Sequence, residues 1–345
     1  MFLGIEIGGT KLQLGVGRGD GSPLVALRRT EVDRDGAAGG ICRQIEQIGP
    51  ELIARHDVTG IGVGFGGPVD RPAGCTITSH QIDGWDDFPL ADWCLATFER
   101  PVTIANDADT AGLAEARFGA GRGYRNVFYI TVGSGIGGAL VIDGRPYSSR
   151  PGIASELGHL RPGLLAERPD QTVESLASGW AVAEAAKDRL ANPGSQPLSA
   201  VGFTNRPHEP ESVRQRLIEL EEAEEEFAAD LLERCEGQID ELTTRIVAQA
   251  ALEGNELARE IFRHAAGVLG WGIAQMITLL APDVVVIGGG VPQLGERFYL
   301  APLRKEVDRY VFPPLLGAFE IVPAALGEEV VVHGALALAA ENAES

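Results

Sequence analysis

The chain has 345 residues, of which 44% are hydrophobic and 23% charged, and its formal net charge is −20. This length predicts about two domains with a substantial core, and the negative charge disfavours binding nucleic acid through a broad basic surface. No apolar run is long enough to span a membrane. The four scattered cysteines indicate neither a disulfide framework nor a Cys-rich zinc site. We therefore expect a protein of the reducing cytoplasm, without a membrane anchor or a nucleic-acid partner.

Two stretches of the chain carry the same predicted arrangement of a strand, a glycine-rich turn and a second strand. In the first, strands at 2–7 and 12–17 flank the turn sequence GGTK. In the second, a strand at 126–132 leads through a glycine turn at 133–138 into a strand at 139–143. Because the two copies lie roughly 125 residues apart, the sequence predicts two related halves, each with one hairpin.

Helices and further strands are predicted between and after the hairpins from hydrophobic periodicity and capping residues. The predicted helices cover 36–56, 107–118, 171–190, 244–281 and about 328–343. The predicted strands cover 60–65, 102–105 and 284–287, and the last of them ends in three consecutive glycines. This alternation predicts an α/β fold.

One segment interrupts the alternation of helices and strands. Residues 191–215 are rich in Pro, Ser, Asn and Gly, and residues 219–226 read ELEEAEEE. Helical charge runs are mostly solvated faces. We therefore expect a solvated helix on an inserted lobe, with an acidic partner-binding face as the alternative.

The glycines, 45 in all, form clusters that raise the question of which nucleotide fold is present. The pattern G-x-G-x-x-G occurs twice, but the dinucleotide-binding fingerprint requires a helix directly after the glycines. Neither cluster opens a helix, and the P-loop motif is absent, so both of these folds are excluded. The bends Gly8-Gly9-Thr10 and Gly133-Ser134-Gly135 instead favour a clamp of backbone N–H groups around a polyphosphate. Ordinary hairpin turns are the alternative.

Asn106 and Asp107 directly follow a short predicted strand and begin a predicted helix. One interpretation is a helix N-cap, because Asn and Asp are preferred there. The other is a general base, because a carboxylate at a strand end in a cleft can accept a hydroxyl proton during attack on phosphorus. The local sequence leaves both open.

Glu156 and His159 are spaced so that both can project from one helical turn. Each can hydrogen-bond vicinal hydroxyls. A zinc site would need further nitrogen or sulfur ligands, and residues 160–180 contain no Cys and no further His. Glu174 is a further acid. Considered alone, it is typical of an acidic residue in the first turn of a helix capped by Thr172.

Taken together and in order, these motifs resemble the ROK family of sugar kinases and repressors. The matching segments are EIGGTK (6–11), GFGGPV (64–69), GW (84–85), NDAD (106–109), EARFGAG (115–121), YITVGSGIGGALVIDG (129–144), ELGH (156–159), TVESLASG (172–179) and VVVIGGGV (284–291). The resemblance implies the actin-like ATPase, ribonuclease-H-like fold, in which two α/β domains close over sugar and nucleotide. It implies a small domain of 1–115 plus about 328–345, and a large domain of 116–327 with an acidic helical insertion at about 191–243.

The resemblance also implies roles for individual residues. Asp107 would be the base that deprotonates the sugar hydroxyl, and ATP with Mg²⁺ would be the phosphoryl donor. Glu6 would lie near the Mg²⁺, acting through water. The implied sugar-binding residues are Asn106, Glu156, His159, Glu174, Gln81 and Gly67. The implied nucleotide-binding residues are Gly8, Gly9, Thr10, Lys11, Thr131, Gly133, Ser134 and Gly135 at the phosphates and Gly289 and Gly290 at the adenosine.

Three positions depart from the family pattern. Glu6 stands where the family usually has Asp, which adds a methylene group between backbone and carboxylate. The Cys-rich zinc loop that usually follows E-x-G-H is missing, which would leave His159 to the sugar alone. Gln81 takes the place of a sugar-contacting Asn, a change that can alter sugar preference.

The resulting prediction is an ATP-dependent hexose kinase, a glucokinase in the first place, that forms a homodimer. A non-catalytic sugar sensor is one alternative. We expect it to be disfavoured because the first hairpin begins at residue 2, which leaves no room for an N-terminal DNA-binding domain. A kinase for another hexose or an N-acetylhexosamine, or one that uses a polyphosphate donor, is the other alternative.

Overall fold

The computed structural model describes residues 1–79, 81–147, 153–162, 170–192 and 225–344. Most of the predicted acidic insertion, including residues 219–224 of the ELEEAEEE run, lies outside the described residues. Within the described part, ten strands form two five-stranded sheets. The first sheet contains β1 (Phe2–Ile7), β2 (Lys11–Gly17), β3 (Ala26–Glu31), β4 (Gly60–Phe65) and β7 (Val102–Asn106); β5 (Val69–Asp70) and β6 (Cys75–Thr76) form a small ribbon. The second contains β8 (Asn126–Val132), β9 (Ile136–Ile142), β10 (Arg145–Pro146), β11 (Val284–Gly288) and β12 (Glu320–Pro323).

The two sheets have the same arrangement. In the first, the order is β3-β2-β1-β4-β7, with antiparallel pairing through β3, β2 and β1 and parallel pairing through β1, β4 and β7. In the second, β10, β9 and β8 are antiparallel, and β8, β11 and β12 are parallel. The repeat of two strand–turn–strand units predicted from the sequence is therefore confirmed, and each unit is the hairpin in its own sheet.

Helices pack on both sheets and between them. In chain order, the α-helices that lie entirely within the described residues are α1 (Ala37–His56), α2 (Leu90–Phe98), α3 (Asp107–Phe118), α4 (Val173–Ala177), α5 (Gly179–Ala191), α6 (Thr244–Glu253), α7 (Glu256–Leu280), α8 (Ala301–Tyr310) and α9 (Val330–Glu344). Helix α3 contacts β8 and β9 of the second sheet, and α9 contacts β1 and β4 of the first. The two helices also contact each other, so they form the layer that joins the sheets.

Small residues allow α3 and α9 to approach closely. A Cβ atom at Gly334 of α9 would lie 1.9 Å from the backbone oxygen of Thr110 in α3, so glycine is required there. Alanines 108, 111, 114 and 116 of α3 are also buried. This contact fixes the N-terminus of α3, where Asp107 lies.

Three predicted elements were wrong in their limits. The single helix predicted at 171–190 is two helices, because Ser178 is extended and caps the second one by accepting a hydrogen bond from Ala181 N–H. The helix predicted at 244–281 is interrupted at Gly254, whose φ of 115° ends α6, and at Asn255, which caps α7. The strand predicted from 139 already begins at Ile136. Strands β3 and β12 and helix α8 were not predicted.

Candidate active site

A cleft of about 480 Å³ is lined by residues from both sheets and from the layer between them. Helix α3 contributes Asp107 at its first residue, and the first hairpin contributes Glu6 and Lys11. The residues from the second sheet and the chain that follows it are Tyr129, Thr131, Ile287, Gly288, Gly289, Gly290, Pro292, Gln293, Pro323, Ala324, Gly327 and Glu328. The cleft therefore collects acidic side chains, a lysine and a run of glycines from opposite ends of the sequence.

Asn106 caps helix α3, so the structural interpretation of this residue is confirmed. Its Oδ1 accepts hydrogen bonds from the backbone N–H groups of Ala108, at 2.8 Å, and Asp109, at 3.3 Å. Its Nδ2 donates to the backbone oxygen of Gly67 at 2.9 Å. These bonds tie the start of the helix to the turn after β4 and leave the adjacent Asp107 facing the cleft.

Asp107 carries the properties expected of a general base. Its pKa is raised to about 7: desolvation is the largest cause and the nearby carboxylates of Glu6 and Glu156 add to it, while the N–H of Ala108 bonded to Oδ1 opposes the rise. A base whose pKa lies near neutral pH combines a usable ionised fraction with a strong tendency to take a proton. The N-cap and general-base interpretations are thus compatible, because they fall on two adjacent residues.

Glu6 is buried beside Asp107 and has a partner for each carboxylate oxygen. Its Oε1 lies 3.3 Å from Lys11 Nζ, and its Oε2 accepts from Gln13 Nε2 at 2.5 Å. Burial raises the pKa of this carboxyl, and Lys11 and Gln13 oppose the rise. Sequence reasoning overlooked Gln13, although a polar residue inside the apolar strand LQLGVG was a visible signal.

The residues present fit a magnesium ion shared with a nucleotide. Within the described ranges, no group of three or more His, Cys, Asp or Glu side chains is arranged to enclose a metal. Mg²⁺ does not need such a cage, because it is commonly held by one or two carboxylates, substrate phosphates and waters. A carboxylate has about four acceptor positions, so Glu6 can still accept from a metal-bound water.

The turn of the first hairpin lies next to the cleft. The backbone N–H of Gly8 donates to the oxygen of Lys11 at 3.0 Å and closes the turn, and Thr10 is exposed. The side chain of Gln81 lies against Gly9 and fills the space that a Cβ would take. The structure thus brings Gln81, which the resemblance assigned to the sugar, to the turn assigned to the phosphates.

The turn of the second hairpin is held by helices α4 and α5. The N–H of Gly179, the first residue of α5, donates to the oxygen of Gly133 at 2.8 Å. The Oε2 of Glu174 accepts from the N–H of Ile136 at 2.7 Å, next to Gly135. Thr131 lines the cleft, whereas Gly133, Ser134 and Gly135 lie just beyond its lining.

Glu156 and His159 project from one short turn, as their spacing predicts. Glu156 immediately precedes the 3₁₀ helix Leu157–His159, and Glu156 Oε2 lies 4.0 Å from His159 Nε2. This separation is too long for a hydrogen bond, so both side chains can bond a ligand. Burial raises the pKa of Glu156, and His159 opposes the rise.

The glycines after β11 approach the second hairpin closely. Gly289 has a φ of 97°, and a Cβ there would lie 2.4 Å from the backbone oxygen of Val132. Both the conformation and the space require glycine. Gly289 and Gly290 both line the cleft. The sequence did not indicate other lining residues such as Gln293, Pro323 and Glu328, because no motif distinguishes them.

Comparison with known proteins identifies the family. A sequence model of the ROK family matches residues 2–342. The chain belongs to the ROK family. It is 28% identical to a glucokinase of Thermotoga maritima, over 99% of this chain and 98% of that protein. It is 30% identical to a glucokinase of Streptomyces coelicolor, with the same coverage.

Solved structures of ROK proteins share the fold. The ROK family glucokinase from Streptomyces griseus, in complex with glucose and AMPPNP, superposes with a TM-score of 0.76, at 29% identity and 99% coverage of both chains. This ROK chain therefore has the actin-like ATPase fold, and its kinase relatives support a sugar kinase phosphotransferase. Regulators also occur among its relatives: a xylose repressor of Caldicellulosiruptor bescii is 25% identical over 81% of this chain and 62% of the repressor. Within the described ranges, no helix has the length and apolarity to cross a membrane.

Proposed function

We propose that this ROK protein is an ATP-dependent hexokinase that transfers the γ-phosphoryl group to the 6-hydroxyl of glucose. The observation that carries the proposal is the position of Asp107. It is half-buried, has a pKa near 7, and lines the same cleft as Lys11, Thr131 and Gly289. A carboxylate base and a nucleotide-binding surface in one cleft suit phosphoryl transfer to an alcohol.

In this proposal, Asp107 accepts the proton of the sugar hydroxyl as that oxygen attacks the γ-phosphorus, and the bond from the γ-phosphorus to the β–γ bridging oxygen breaks to release ADP. Lys11 and the backbone N–H groups of the two hairpin turns bind phosphate oxygens, and Gly289 and Gly290 lie at the adenosine. Bound Mg²⁺ would neutralise phosphate charge, and Glu6 would hold it through a water. Closure of the cleft would exclude water, which would otherwise compete with the sugar for the phosphoryl group.

We assign the sugar to the side of Asp107 that carries Glu156. Glu156 and His159 have hydrogen-bonding capacity to spare, and the charge of Glu156 is felt at Asp107. The other assigned sugar-binding residues are Asn106, Gly67, Glu174 and Gln81. Of these, Asn106 and Glu174 also hold backbone groups in place, so we expect them to shape the site as well as to contact the sugar.

Replacing Asp107 by Asn tests the proposed mechanism. The Asn side chain keeps the shape but cannot accept the proton, so we expect a loss of phosphoryl transfer of about 10³-fold or more, with glucose affinity within about threefold of wild type. Transfer is measured as sugar phosphate formed from glucose and Mg–ATP, and glucose affinity by calorimetry. Asp109→Asn is the matched control, because Asp109 is a buried acid with a pKa of about 7 that does not line the cleft. Full activity in Asp107→Asn would contradict the mechanism.

The same assay separates the kinase from its alternatives. A wild-type protein that forms no sugar phosphate from any hexose or N-acetylhexosamine, with ATP or polyphosphate, is a sugar sensor of the kind found among ROK regulators. A product with another sugar or donor keeps the kinase and changes its substrate. We propose no nucleic-acid partner, because the net charge of −20 opposes binding to a polyanion.

We further propose that the two sheets belong to two domains, 1–115 with about 328–345 and 116–327, and that the protein is a homodimer. The dimer is supported by an exposed apolar patch on the second half of the chain, formed by Leu279, Leu280, Phe312 and Leu316. The cysteines, all unpaired in the structure, support a reducing compartment such as the cytoplasm.

A further inference from the structure

Three residues of the first sheet form a row that ends at Glu6. Glu6 of β1 lies directly opposite Gln13 of β2, and Gln13 lies directly opposite Arg29 of β3. Residues opposite each other in antiparallel strands project from the same face and interact directly. Gln13, in the middle of this row, is completely buried. A fully buried amide between a carboxylate and a guanidinium indicates a role for this side chain other than packing.

The amide nitrogen and the amide oxygen of Gln13 both form hydrogen bonds with neighbouring groups. Its Nε2 donates to Glu6 Oε2 at 2.5 Å and to the backbone oxygen of Glu328 at 2.9 Å. Its Oε1 accepts from Arg29 Nε at 2.6 Å. Because Arg29 is only a donor, the amide oxygen must face it, and the amide nitrogen must face Glu6. The orientation of the amide is therefore determined by its surroundings.

The row is anchored at its outer end to the chain that enters α9. Arg29 lies 2.8 Å from Glu329 Oε1 and 3.6 Å from Glu328 Oε2. Glu328 also lines the cleft, and its backbone oxygen lies 3.4 Å from Lys11 Nζ. The segment that carries Glu328 connects β12 of the second sheet to α9 on the first. Through Gln13 and Arg29, the row therefore connects Glu6 to the segment between β12 and α9.

We propose that Gln13 is a positioning residue that fixes the Glu6 carboxylate for the metal–nucleotide complex; this inference rests on the proposed function. A glutamate side chain has more rotatable bonds than an aspartate, so an unsupported Glu6 would lose more conformational entropy on binding. By holding Oε2, Gln13 leaves Oε1 beside Lys11, at the cleft. Partners of this kind typically change metal affinity by about 10–100-fold when they are removed.

Replacing Gln13 by Met tests the inference, because Met is similar in size but cannot donate to Glu6. The readout is the affinity for Mn²⁺, used as a paramagnetic substitute for Mg²⁺, in the presence of AMPPNP and measured by electron paramagnetic resonance. We expect about 10-fold weaker Mn²⁺ binding, with glucose affinity unchanged. Arg29→Met provides a second variant if Gln13→Met fails to fold, since it frees the amide oxygen and should weaken Mn²⁺ binding in the same direction.

Gln44→Met is the control for the loss of a hydrogen-bonded glutamine elsewhere in the protein; Gln44 is half-buried and has two hydrogen bonds, whereas Gln13 is fully buried and has three. Gln44 accepts from the N–H of Asp33 at 3.0 Å and donates to the oxygen of Glu31 at 2.8 Å, and it does not line the cleft. We expect its Mn²⁺ affinity to equal that of wild type. A lower melting temperature in both glutamine variants, with Mn²⁺ affinity unchanged in both, would overturn the proposal and leave Gln13 a purely structural role.

A double-mutant cycle with Glu6→Gln decides whether Gln13 acts through Glu6. If it does, Gln13→Met has no further effect on Mn²⁺ affinity in the Glu6→Gln background. An undiminished effect there would overturn the proposal. The readout does not require phosphoryl transfer. If Mn²⁺ binding with AMPPNP depends on Gln13 and Glu6 but the wild-type protein phosphorylates no sugar, only the proposed function is overturned.

Discussion

The carboxylates of Glu6 and Glu156, from separate parts of the chain, both raise the pKa of Asp107 at the cleft. Burial is the largest cause of the raised pKa of Asp107, and the charges of Glu6 and Glu156 add to it. Glu6 also has a raised pKa, which Lys11 and Gln13 limit. These surroundings give the two acids different roles. Glu6, which has a cationic and an amide partner, suits a metal, and Asp107, which is near other carboxylates, suits proton transfer.

The pKa of Asp107 predicts how activity depends on pH. A general base works only when ionised, so kcat/KM for the sugar should rise with pH and level off above an apparent pKa near 7. Below that value it should fall about 10-fold per pH unit, since one proton blocks the base. Initial rates between pH 5.5 and 9 at saturating Mg–ATP measure the profile. A flat profile across pH 6–8 would show that no group with this pKa limits the reaction.

At the scale of elements, the Glu115 carboxylate joins two pieces of backbone through three N–H groups. This residue of α3 is completely buried, and its carboxylate accepts from the N–H of Ala120 at 2.8 Å, of Ala325 at 2.9 Å and of Leu326 at 2.8 Å. It therefore ties the end of α3 to the segment after β12, which lines the cleft. The EARFGAG motif, noted in the sequence only as part of the resemblance, has a structural purpose here.

Replacing Glu115 by Gln should destabilise the protein by about 1–3 kcal/mol, because an amide nitrogen would face backbone N–H groups that then lack an acceptor. Denaturant unfolding of both proteins measures the difference. Glu46→Gln on the exposed face of α1 is the control, and its stability should stay within about 0.5 kcal/mol of wild type. Equal stability of Glu115→Gln and wild type would mean that the three N–H groups find other partners.

Local patterns predicted most elements but not all of their limits. Helix α3 and strands β1, β4 and β8 agree with the sequence because their periodicity and caps are local. The breaks at Ser178 and Gly254 have local causes too, a capping serine and a glycine with positive φ, which the apolar periodicity on both sides obscured. Strand β12 was missed because it is short and depends on pairing with β11.

On the scale of the whole molecule, the apolar patch on the second half of the chain is the candidate interface of the proposed homodimer. Leu279 and Leu280 end helix α7 with 81% and 45% of their surfaces exposed, and Phe312 and Leu316 nearby are 55% and 49% exposed. The N–H of Phe312 donates to Thr278 Oγ1 at 3.4 Å, which keeps the two segments together. Exposed apolar clusters of this kind commonly mark interaction surfaces.

Introducing a charge into this patch should separate the proposed homodimer. We expect Leu279→Glu to be a monomer at concentrations where wild type is a dimer, because burying an unpaired carboxylate is costly. Light scattering after size-exclusion chromatography measures the mass. Leu95→Glu on helix α2 is the control, since Leu95 is 49% exposed but lies outside the patch, and it should remain a dimer. A dimeric Leu279→Glu protein would place the interface elsewhere.

The sequence by itself determined the two hairpins, a helix start at Asn106 or Asp107, the exclusion of the dinucleotide-binding and P-loop folds, and the order of motifs that indicated the ROK family. These features depend on residues close together in the chain. Only the tertiary structure decided which of these residues share the cleft and how they are charged. The bond from Gln13 to Glu328 spans 315 positions in the sequence, and the pKa of Asp107 reflects its burial. Such contacts and desolvation arise when distant segments pack together, so no local pattern contains them.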